Sequence, residues 1–82
     1  MHKILPLLLL SALLAACSAV NADNYAKLHT GMSMSEVQAI LGTPTQCTEI
    51  LIVKKCTWGS ESRGISVSFA ADAAMATSAN GL

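Results

Sequence analysis

Gly31-Met32-Ser33-Met34-Ser35-Glu36-Val37-Gln38-Ala39-Ile40-Leu41-Gly42-Thr43-Pro44 is the stretch that decides the fold. Ser33 and Glu36 have the spacing of a capping box, in which the hydroxyl accepts from the Glu36 N–H and the carboxylate reaches back. Met32 and Val37 are placed for a hydrophobic staple across that start. Val37, Ile40 and Leu41 repeat with helical spacing and give one apolar face. Gly42 stands where a left-handed C-cap is expected, and Pro44 prevents continuation. The stretch therefore predicts a short amphipathic helix. Met32 and Met34 read as staple and core residues rather than metal ligands.

Outward on the N-terminal side, Asp23 or Asn24 is placed to cap a shorter helix through Tyr25 and Leu28, ending near Thr30-Gly31. One or two turns are marginal alone, so packing must hold them. Residues 18–24 read as a polar tether.

Further back lies Leu14-Ala15-Ala16-Cys17, at the end of an apolar run that follows Lys3. The run Ile4–Leu14 is long enough for secretion but short of the roughly 20 residues that span a bilayer. Small residues before a cysteine are what a lipoprotein signal peptidase needs, and the thiol carries the diacylglyceryl group. Residues 1–16 are thus expected as a signal peptide and Cys17 as the lipidated N-terminus. A secretory cut near Val20-Asn21-Ala22 and an uncleaved anchor are the competing readings. The cysteine directly after Leu-Ala-Ala favours lipidation, and Ser18 in place of an aspartate favours the outer membrane. Diacylglycerol plus a further acyl chain, palmitate for instance, meets the need for more than one chain in a stable anchor. No cofactor is expected beyond this covalent lipid.

Removing the leader leaves 66 of the 82 residues. A chain this short makes one domain, residues 25–82, burying only about 60% of its unfolded surface, so its core gains from a staple. The 52% hydrophobic content is inflated by the leader. Beyond it Lys27, Lys54, Lys55 and Arg63 face Asp23, Glu36, Glu49, Glu61 and Asp72, a net charge of −1. That balance, with Tyr25, Trp58 and Phe69 as the aromatics, lacks the basic patch of a nucleic-acid binder. With Cys17 acylated, Cys47 and Cys56 are a pair in an oxidising compartment and are expected to form a disulfide. Closing a loop of about ten residues stabilises a fold by roughly 2–3 kcal/mol. One His and no Cys-x-x-Cys argue against zinc.

On the C-terminal side, Thr45–Val53 contains Cys47 and the β-favouring run Ile50-Leu51-Ile52-Val53, followed by Lys54-Lys55 and Cys56-Thr57-Trp58. Gly59–Gly64 reads as a turn. Ile65-Ser66-Val67-Ser68-Phe69 alternates strictly and predicts a strand with Ile65, Val67 and Phe69 inward. Asp72 marks a turn. Ala73–Leu82 leans to helix by its alanines.

Tyr25, Leu28, Gly31-Met32-Ser33, Glu36-Val37, Ile40-Leu41-Gly42, Pro44, Trp58, Ile65–Phe69 and Asp72 together give the chain a resemblance to the SmpA/OmlA (BamE-like) family of small outer-membrane lipoproteins. Its fold is shared with the β-lactamase inhibitor proteins. The resemblance implies an α+β domain: two short N-terminal helices packed on a three-stranded antiparallel meander, with Ala73–Ser78 as the third strand against its local propensity. The cysteine pair and the short C-terminus look more like a disulfide-bearing branch of that fold.

No catalytic set is expected. His29 is the one histidine beyond the leader and is better placed to cap the first helix than to act as a base. Glu36 is taken by its capping box. The leading expectation is a non-catalytic protein-binding module, lipid-anchored on the periplasmic face of the outer membrane, with an envelope protein as partner and neither nucleic acid nor a small-molecule substrate. The alternative is a periplasmic enzyme inhibitor of the β-lactamase inhibitor type. A structural lipoprotein is a third reading. Candidate contact residues are Trp58, Lys54, Lys55 and Arg63, with Trp58 either a core anchor of the sheet or a surface hot spot.

Overall fold

The computed structural model describes residues 19–82. The expected signal peptide, 1–16, and Cys17 lie outside the described residues. Two helices, α1 (Ala22–Ala26) and α2 (Met34–Leu41), precede four strands, β1 (Gln46–Ile50), β2 (Val53–Gly59), β3 (Gly64–Ala70) and β4 (Ala73–Asn80). The strands form one antiparallel meander in the order β1-β2-β3-β4. The α+β class and the two leading helices stand as expected. The sheet has four strands rather than three.

Helix α1 starts earlier than the sequence suggests. Its cap is Asn21, whose side chain accepts from the Asn24 N–H at 2.8 Å, not Asp23 or Asn24. Asn24 in turn donates through Nδ2 to the Ala19 carbonyl at 2.8 Å. Part of the stretch read as tether is therefore fixed onto the domain. Five residues cannot sustain a helix alone. This one is held because Tyr25 and Leu28 pack against the core. Its C-cap is Lys27, so His29 does not cap it.

In α2 both halves of the capping box are formed, Glu36 N–H to Ser33 Oγ at 3.2 Å and Ser33 N–H to Glu36 Oε1 at 2.9 Å. Met32, Val37 and Leu41 are buried, while Ile40 is half-buried at the edge of the same face. Gly42 ends the helix at φ 82°, ψ −164°. The positive φ is as expected, but the ψ lies outside the left-handed helical well, in a region open almost only to glycine.

The core lies between the helices and one face of the sheet. Strand alternation sends Cys56 and Trp58 of β2, then Ile65, Val67 and Phe69 of β3, to that face, where they meet Met32, Val37 and Leu41. Each fully buried large apolar side chain stabilises the fold by about 1.5–3 kcal/mol. The opposite face carries Thr48, Lys55, Thr57, Ser66, Ser68 and Ser78 in register across the four strands.

The extra strand arises inside 45–58. The β-favouring run Ile50–Val53 is not a strand interior: Leu51 and Ile52 form the two-residue turn between β1 and β2. Leu51 takes φ 58°, a conformation that costs an L-residue roughly 1–2 kcal/mol. The turn between β3 and β4 also departs from glycine, with Ala71 carrying the same kind of strain and Asp72 a residue that tolerates positive φ. Ala71 and Asp72 both have positive φ, as a type I′ hairpin requires. Ala73–Leu82 is not the helix that its alanines favour; the strand that the resemblance implies over Ala73–Ser78 is present as β4, which pairs with β3 along most of its length, with a register shift at Ser68/Phe69. Sheet pairing overrides the alanine preference.

Candidate functional site

The described residues offer a surface rather than a cleft. Cys47 and Cys56 face one another across β1 and β2 and are bonded, as expected from their count. Cys56 is buried against β3, whereas Cys47 and the rest of β1 are exposed. The bridge therefore ties an exposed edge strand to the core. Among the described residues no further strand pairs with that edge. The opposite edge, β4, is occupied at Ala74, which donates to the Met32 carbonyl at 2.7 Å and accepts from the Gly31 N–H at 2.8 Å.

Trp58 is 1% exposed, and its Nε1 donates to the Gly42 carbonyl oxygen at 2.8 Å. It is a core anchor, so its candidacy as a contact residue is withdrawn: its ring offers a partner no surface. Lys54 and Lys55 are neighbours on β2 but point to opposite faces. Lys54 lies opposite Glu49 on the helix side, and Lys55 lies between Thr48 and Ser68 on the outer face. Arg63 is exposed in the β2–β3 loop, at the other end of the sheet, where its backbone closes a turn with Ser60. The candidate contact residues are thus not brought together.

Sequence reasoning missed the tip of the β1–β2 hairpin. Ile50, Leu51 and Ile52 are 73%, 95% and 80% exposed. Three consecutive large aliphatic side chains in water are unusual for a small domain. Beside the tip is an open hollow of about 320 Å³, lined by Met34, Glu49, Ile52, Lys54, Phe69 and Asp72. Two further open grooves run along the outer face beside Lys55 and Thr57.

Little in the electrostatics points to chemistry. Glu36 is held below the ordinary carboxylate value of 4.5, first by the Ser33 backbone N–H and then by the Ser33 side chain. That is the signature of a cap. His29 is exposed, with Nδ1 3.2 Å from the Thr30 carbonyl oxygen. Among the described residues no group of three or more His, Cys, Asp or Glu is placed to hold a metal ion. None of the helices among them is long and apolar enough to cross a membrane.

Residues 18–58 match the family model of the outer membrane protein assembly factor BamE domain. The chain belongs to the BamE family. The BamE match covers α1, α2, β1 and β2 as far as Trp58, and so includes the disulfide and the exposed hairpin tip. It bears out the SmpA/OmlA resemblance carried by the helix motif. No curated protein and no solved structure matches the chain.

Proposed function

We propose that this BamE-family chain is a non-catalytic lipoprotein, held by acylated Cys17 on the periplasmic face of the outer membrane, whose domain binds protein partners in outer-membrane assembly. The observation that carries the reading is the match to the BamE domain, which begins at residue 18, directly after the cysteine expected to bear the lipid. The Leu14-Ala15-Ala16-Cys17 leader supports the anchor. The disulfide suits an oxidising compartment.

The inhibitor alternative draws no support from the sheet. Such a module would present aromatics on its surface, and here Trp58 and Phe69 are buried while Tyr25 is half-buried on the helix side.

Intact mass of the native protein, with envelope fractionation of the wild type and Cys17→Ala, tests the anchored reading. The expected mass begins at Cys17, carries acyl chains and lacks the two thiol hydrogens of the bridge. Cys17→Ala should leave the outer-membrane fraction. Normal fractionation of that variant would overturn the anchor.

A further inference from the structure

We infer that the β1–β2 hairpin tip, Ile50-Leu51-Ile52, is a docking knob for a protein partner that presents an apolar cleft bordered by a carboxylate. The inference deepens the protein-binding reading above and rests on it and on the Cys17 anchor.

Two independent features coincide at this turn. Its three aliphatic side chains lie in water. Its first residue, Leu51, occupies a positive-φ position that Gly or Asn would fill without strain. The turn thus breaks both the burial rule and the turn-chemistry rule, and neither departure helps the domain fold. A local conflict of this kind points to a demand outside the domain.

Position sets the tip apart from the anchored end of the domain. Val20 packs beside Gly59 at the far end of β2, within van der Waals reach of any side chain placed there. The three residues from Cys17 to Val20 reach about 10 Å at most. The tip lies about 20 Å from Gly59 along the seven residues of β2. A leash this short keeps the Gly59 end of the hairpin nearest the anchor and leaves the tip at the far end, clear of the anchoring segment. Charge sets the chemistry of the partner. Lys54 faces Glu49 across the ladder, but Lys55 has only Thr48 and Ser68 as ladder neighbours. A carboxylate at the rim of the partner's cleft would complement it.

The test places a photo-crosslinking amino acid, in the full-length lipoprotein in cells, at Leu51, at Ser66 on the outer face and at Lys27 on the helix side. The expected result is a discrete protein adduct from position 51. Peptide mapping should put it in an apolar segment next to an Asp or Glu. Lys55→Glu should reduce that adduct at least tenfold, and Lys27 should give none. A lipid adduct alone, a dimer of this chain, or an adduct indifferent to Lys55→Glu would overturn the proposal. Protein adducts from Ser66 without any from Leu51 would sink the knob and leave the binding module standing. No protein adduct from any position would remove both.

Discussion

The indole Nε1 of Trp58 donates to the carbonyl oxygen of Gly42 across 2.8 Å, joining the middle of the sheet to the end of α2. The bond satisfies a carbonyl that the helix terminus leaves without an internal partner. Trp58→Phe keeps most of the buried ring and loses this bond. It should destabilise by about 1–3 kcal/mol, read as a lower urea midpoint with unchanged slope. An unchanged midpoint would show that the bond contributes nothing net.

Breaking the Cys47–Cys56 bridge should act mainly on β1. That strand buries no side chain, so it is held by its ladder to β2 and by the bridge. Cys47→Ser should cost about 2–3 kcal/mol, a drop in Tm on the order of 10 °C for a domain this small. Hydrogen exchange should rise first at the β1 amides, with β3 protected to the end. Uniform loss of protection along all four strands would contradict this order.

Helix α2 depends on its capping box. Ser33→Ala should cost about 1 kcal/mol. It should also raise the midpoint of the Glu36 carboxyl in an NMR titration, but only part of the way to its ordinary value, because the Ser33 backbone N–H, the larger cause of the shift, remains. The sign follows from linkage. The folded-state pKa is depressed, so the contribution of Glu36 is present above 4.5 and is lost as pH falls through the lower folded value. A Glu36 midpoint at or above 4.5 in the wild type would refute the cap's electrostatic role.

Leu51→Gly relieves the positive-φ strain of the hairpin turn, offset in part by the extra freedom of glycine in the unfolded chain. A net gain of about 0.5–1 kcal/mol in denaturant stability is expected. A loss would mean that Leu51 serves the fold and not a partner.

The parts of the fold that were legible in the sequence are those fixed by local chemistry. The Ser33–Glu36 box, the Val37/Leu41 face and the Ile65–Phe69 alternation each specify their element within a few residues. The parts that were not legible are those where context overrides the local signal. The turn at Leu51-Ile52 has no Gly, Asn or Pro, and its aliphatic residues resemble a strand interior. One signal was present. Leu51-Ile52 is midway between Cys47 and Cys56, and a bridge between those cysteines requires the chain to reverse there. Ala73–Asn80 has helical composition and becomes a strand only because β3 offers a ladder. Trp58 was ambiguous because an indole suits a core or an interface equally, and only the Gly42 carbonyl decides between them.

Purification of the full-length protein from detergent-solubilised envelopes, with quantitative mass spectrometry of what comes with it, addresses the central claim most directly. An anchored, protein-binding BamE-family module should bring outer-membrane assembly proteins in a fixed ratio, and Cys17→Ala should lose them. Recovery of the acylated protein alone would contradict the account.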